Sequence, residues 1–194
     1  MHGLINRAIQ SFYRDTYGRQ AWSDIVRALE LPFSEFEPML HYDASLTYAM
    51  LDEMSRALDK PCEVVLEDLG TYLVSHPNLE SLRRLLRFGG VSFVDFLHSL
   101  DDLPGRARLA VEDLELPDLE LREHGGRNFS LTCHSHGNGF GYVLVGILRA
   151  LADDYGALIF LEHRGGSETE AIDITVFETE FAEGREFDLG AEAG

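Results

Sequence analysis

Through the first hundred residues apolar side chains recur every three or four positions, the spacing that gives a helix one water-excluding face. Leu4, Ile5, Ala8, Ile9 and Phe12 share such a face, and Tyr17-Gly18 closes it. Trp22, Ile25, Val26 and Leu29 set a second helix that must stop before Pro32. Asp43 can cap a third through its side-chain oxygen, with Leu46, Met50 and Met54 turned inward. Pro61 suits the first turn of a fourth, where its missing N–H costs nothing, and Val64, Val65, Leu69, Tyr72 and Leu73 follow. A fifth carries Leu79, Leu82, Leu85 and Leu86 and ends at Gly89-Gly90. Ser92 caps a sixth, with Phe93, Phe96, Leu97, Leu100 and Leu103 on one side, and Pro104-Gly105 is expected to end it.

Later the period shortens to two. Phe129, Leu131 and Cys133 alternate with polar residues, as a half-buried strand requires. Residues 139–154 return to helix, with Val143, Ile147, Leu148 and Leu151 inward. The apolar run Ala157 to Leu161 and the alternating Ile172, Ile174 and Val176 flank Gly165-Gly166, so a hairpin is expected. Helices first, strands afterwards and one helix among them predict an α+β fold with an antiparallel sheet. The expected organisation is one domain over 1–181, helical to about 105 and sheet-containing from 106. An acidic, loose tail is expected over 182–194.

Composition narrows the functions. A net charge of −18, from 34 acids against 16 bases, repels phosphate backbones and anionic lipid, so no nucleic-acid or membrane partner is expected. No apolar run is long enough to span a bilayer, and no basic start precedes an apolar block. A cytoplasmic protein is the expectation. The densest bases, Arg83, Arg84 and Arg87, read as one solvated face or a patch for an acidic partner. Cys62 and Cys133 lie far apart without a CxxC, which fits reduced, structural thiols. No nucleophile elbow, phosphate-cradling loop, kinase or cyclase motif is present, so no catalysis is expected.

Several segments in order resemble the heme–nitric oxide/oxygen-binding (H-NOX) family, from residue 1 to about 177. They are the opening Met1-His2-Gly3-Leu4-Ile5-Asn6-Arg7-Ala8, Tyr17-Gly18 with Trp22, and His41-Tyr42-Asp43 before Thr47-Tyr48. Phe96-Leu97-His98-Ser99-Leu100-Asp101-Asp102-Leu103, Pro117 and Gly146-Ile147-Leu148 follow. The resemblance implies a heme-based sensor whose iron is held by a histidine directly after the LD-x-L stretch. Here that position is Pro104, which has no side-chain donor. The family's Y-x-S-x-R motif, which holds the heme propionates, corresponds to Cys133-His134-Ser135-His136-Gly137, in which only Ser135 is retained. Ile5 and Pro117 match positions that press on the porphyrin. Val143 falls where oxygen-binding members carry a tyrosine, so any bound heme would favour nitric oxide.

Eight histidines offer candidates for a replacement iron ligand. His98 lies on the right helix but six residues early, rotated by roughly 120° and displaced by about 9 Å. It is the candidate substitute ligand, with a hydrogen-bonded surface residue as the plain alternative. His134 and His136 share one strand face and could chelate a transition metal with His163, or simply form a polar outer face. Cys133 could serve as a thiolate ligand or thiol sensor, or fill space as a small hydrophobe. Two main expectations follow. One is a stand-alone nitric oxide sensor that controls a separate diguanylate cyclase, phosphodiesterase or histidine kinase. The other is a heme-free relative that contacts a partner or binds an apolar molecule. A His-rich metal-binding protein is the third.

Overall fold

The computed structural model describes residues 1–134, 139–166, 169–179 and 181. Five helices come first: α1 (Gly3–Tyr17), α2 (Arg19–Ala28), α3 (Ala44–Leu58), α4 (Cys62–Ser75) and α5 (Glu80–Arg87). The expected caps form. The Asp43 carboxylate accepts from the Ser45 amide at 2.8 Å, and Ser92 and Asp95 exchange bonds in a capping box that opens α6 (Phe93–His98). Next come α7 (Leu103–Ala110), β1 (Asp118–Gly125), β2 (Asn128–His134), α8 (Phe140–Tyr155), β3 (Leu158–Arg164) and β4 (Thr169–Glu178). The strands form one antiparallel sheet in the order β1-β2-β4-β3, so the α+β expectation holds.

Three local readings change. The sixth helix does not run to Pro104: α6 ends at His98, Leu100–Asp102 makes a 3-10 turn, and Pro104 sits in the first turn of α7. Proline begins this helix instead of ending one, because a first-turn N–H has no intrahelical partner to lose. Strand β1 was not anticipated. Its burial is confined to Leu119 with Glu120 and Leu121 half-covered, so the alternation that marks a strand is nearly erased. The inward face of α1 also includes two amides. Asn6 Oδ1 accepts from the Thr47 hydroxyl at 2.7 Å, and Gln10 Oε1 accepts from the Phe36 amide at 2.9 Å. Both side chains are fully buried, and these bonds fasten α1 to the 36–47 stretch.

Helix α8 is covered on almost all sides, because it lies between α4 and the inner face of the sheet. Phe129, Leu131, Cys133, Ile172, Ile174 and Val176 form that inner face. The approach of α4 to α8 is set by glycines. A Cβ on Gly146 would overlap the Glu67 carbonyl and lie 2.8 Å from the Thr71 amide nitrogen. The far end of α8 is pinned by Arg83, which donates to the Asp154 carboxylate at 2.6 Å. Arg87 donates to the Asp154 carbonyl at 3.2 Å and lies over the Tyr155 ring. Two of the three clustered arginines therefore face this helix and not an open docking patch; Arg84 pairs with Glu80 on its own helix. No helix among the described residues is long and apolar enough to cross a membrane.

Candidate functional site

Pro104 is buried in the first turn of α7, just after the 3-10 turn. Leu97 and Leu100, on the preceding helix and turn, have 0% exposure. Asp101 fixes the turn to the sheet: its carboxylate accepts from the Leu121 amide of β1 at 2.7 Å. His98, the substitute iron ligand considered from the sequence, lies at the solvent margin. Its side chain is 51% exposed, its Nε2 lies 3.7 Å from the Glu123 carboxylate, and its ring meets Phe129 edge-on. This placement gives the bland role, a surface histidine beside an acid, and does not aim the imidazole into the core.

The second half of the site is the N-terminus of α8. Gly139 caps the helix at φ 107°, a left-handed conformation that favours glycine. Glu170, on the inner face of β4 directly opposite Cys133, is 3% exposed. One of its oxygens accepts from the Gly139 amide at 3.1 Å and the other from the Gly141 amide at 2.9 Å. His163 Nε2 lies 3.3 Å from the first of these oxygens, and the Tyr142 ring covers the imidazole with centroids 4.0 Å apart. Nothing in the sequence reading singled out Glu170. The available signal was an acid at an inward position of the 170, 172, 174, 176 alternation.

Cys133 is 1% exposed, and burial, followed by the nearby Glu170 charge, pushes its thiol up to about 12. Burial and the nearby charge both oppose the thiolate, the form that binds metals and reacts with oxidants. Iodoacetamide at pH 8 should leave Cys133 unmodified in the folded protein and label it after denaturation, by mass spectrometry. Rapid labelling in the native state would contradict this.

The proposed histidine metal site is not assembled. His134 is exposed on the outer face, 3.7 Å from Glu120, whereas His163 is on the inner face and turned to Glu170. One ion cannot reach both through the sheet; His136 and Ser135 lie outside the described residues. Val143 is buried in α8, and Ile5 and Pro117 are half-buried.

A separate group, His2, His41 and Asp113, brings three possible ligand atoms within 4.8 Å of one another. Sequence spacing gave no hint of it, since the residues come from three distant segments. His2 Nδ1 accepts from the Leu4 amide at 3.1 Å, and its Nε2 faces Asp113 at 3.3 Å. A neutral imidazole has one lone pair, already used at Nδ1, so Nε2 carries the proton and is not free for a metal.

A family profile described as Haem-NO-binding matches residues 2–163. The chain belongs to this family. Its H-NOX relatives form a family of heme-based nitric oxide and oxygen sensors, found in soluble guanylate cyclases and in stand-alone bacterial proteins. Soluble guanylate cyclase gcy-31 of Caenorhabditis elegans is 21% identical over 79% of this chain and 22% of its own length. Soluble guanylate cyclase 89Db of Drosophila melanogaster is 18% identical over 81% of this chain and 24% of its own. The chain thus spans less than a quarter of these curated relatives. An H-NOX protein from S. oneidensis superposes with a TM-score of 0.78 at 16% identity, covering 93% of this chain and 98% of that one. An H-NOX variant from T. Tengcongensis gives 0.74 at 14% identity, covering 92% and 99%.

The described residues do not fit the heme that the family carries. The position that the resemblance assigns to the iron ligand is a buried proline, His98 lies at the solvent margin, and burial opposes the Cys133 thiolate. In the motif expected to receive propionates, Cys133 stands where the resemblance places the tyrosine and Gly137 where it places the arginine, so neither of those donors is present.

Proposed function

We propose that this chain is a regulatory H-NOX module that works by protein contact and without a histidine-ligated heme. The observation that carries this reading is Pro104, a residue with no donor, buried in the turn where the family resemblance calls for the iron ligand. The resemblance to stand-alone members supports a separate signalling enzyme as target: a diguanylate cyclase, a phosphodiesterase or a histidine kinase. A contact surface is available on the outer side of the sheet, where Leu158, Phe160 and Phe177 are exposed near one end of β3 and β4. Absence of catalysis and a cytoplasmic location belong to the same proposal.

The test is enzymatic. Candidate signalling enzymes from the same source are assayed with and without the purified chain, and with and without added hemin and nitric oxide. The proposal expects the chain to change the rate of its target and expects hemin and nitric oxide to leave that change unaltered. A rate change that appears only when hemin and nitric oxide are both present would instead establish gas sensing through an unconventional ligand.

A further inference from the structure

We infer that the N-terminus of α8 is a carboxylate seat and that Glu170 of β4 is its built-in occupant. Glu170 therefore acts as a strap that holds α8 on the sheet, and a carboxylate-bearing ligand must displace it to use the same amides. This role holds whatever enzyme the chain controls.

A carboxylate taken out of water is strongly disfavoured unless its oxygens are hydrogen-bonded. Glu170 meets that condition with one amide on each oxygen, at 3.1 Å from Gly139 and 2.9 Å from Gly141. The donors are the N-cap residue and the second residue of a 16-residue helix, at the end where unpaired N–H groups and the helix dipole favour negative charge. His163 supplies the third side. Its side chain is 8% exposed, and its Nε2, 3.3 Å from Glu170, has no hydrogen-bond partner in ideal geometry among the described residues. In its Nε2–H tautomer the imidazole would place a donor beside the carboxylate, outside hydrogen-bond geometry.

The floor of the seat is made by glycine. A Cβ on Gly141 would lie 3.0 Å from the His163 ring carbon Cδ2 and 3.1 Å from the Glu170 Cβ, and closer still to Nε2. A Cβ on Gly139 would lie 2.7 Å from Leu66. A side chain at Gly141 would crowd the acid and the imidazole, and one at Gly139 would strain a left-handed backbone and strike Leu66. The arrangement recruits residues from α8, β3 and β4, so it joins the helix to both strands of the hairpin.

Chemical rescue tests the assignment. Glu170→Ala should lower Tm by roughly 5–10 °C, because two buried amides lose their acceptor. Sodium formate, a free carboxylate of matching size, should return much of that loss, while sodium chloride at equal ionic strength should not. Wild-type protein should respond equally to the two salts. Formate and chloride acting alike on Glu170→Ala would overturn the seat. Should that variant fail to fold, the intact protein provides the second measurement. In 15N-resolved NMR the Gly139 and Gly141 amide protons should lie downfield and be protected from exchange with solvent. Random-coil shifts with rapid exchange at both amides would also overturn it.

Discussion

Gly146→Ala should destabilise the protein by about 3 kcal/mol, the upper end of the usual cost of overpacking, and lower Tm by roughly 6–12 °C. The added methyl has nowhere to go. It overlaps the Glu67 carbonyl and comes within 2.8 Å of the Thr71 amide, and both are backbone atoms that no rotamer change can move. Relief requires α4 and α8 to separate along their most extensive contact, which would open the packing around Leu144 and Leu148. Gly70→Ala should act in the same direction, since its Cβ would overlap the Val143 carbonyl and sit 3.0 Å from the Gly146 Cα. Gly105→Ala is the control. It lies within α7 with nothing in 4 Å of an added Cβ, so alanine there should be neutral or stabilising by up to about 1 kcal/mol. Urea unfolding of the three variants checks the pattern; equal midpoints for Gly146→Ala and Gly105→Ala would contradict it.

Asp154→Ala should also destabilise by about 3 kcal/mol, the lower end for breaking a buried ion pair, because Arg83 retains some access to water. The Asp154 carboxylate side chain is 3% exposed and the Arg83 side chain 19%. Removing the acid leaves a guanidinium facing the C-terminal end of α8 without its 2.6 Å acceptor. The neighbouring Asp153→Ala serves as comparison, because Asp153 is exposed and its loss should change stability by less than about 0.5 kcal/mol. A double-mutant cycle with Arg83→Ala should show strong coupling between positions 83 and 154. Additive effects would mean that the pair contributes only through separate packing.

The helical half was largely legible because its elements carry their own boundaries. Asp43, Pro61 and Ser92 mark starts, and apolar residues at three- and four-residue spacing mark the buried stripes. Where polar groups are buried through distant partners, the pattern fails. Asn6 and Gln10 lie outside the apolar stripe, yet their acceptors meet Thr47 and Phe36, residues remote in sequence. Strand β1 was hidden because most of its side chains face water. Pro104 was read as a stop because its sequence context does not distinguish the end of one helix from the first turn of the next.

The departures from the family motifs, Pro104 and Cys133, could be located by resemblance alone. What replaced the lost interactions could not. Glu170 becomes significant only once β2 and β4 pair in register and bring it opposite Cys133 and under α8. His134 and His163 looked compatible as a metal pair until the sheet placed them on opposite faces. Both outcomes depend on strand pairing, a non-local property that a single sequence does not encode in its spacing.

The most direct measurement is an absorption spectrum of the purified, folded protein after equimolar hemin, before and after reduction and exposure to nitric oxide, with Pro104→His measured alongside. A module that works without histidine-ligated heme should give no stoichiometric Soret band in the wild-type protein, and no band that shifts with nitric oxide. Because only Ser135 of the propionate motif is retained, Pro104→His alone should also fall well short of one heme per chain. A stoichiometric, nitric oxide-responsive Soret band in the wild-type chain would contradict the account and restore gas sensing as its function.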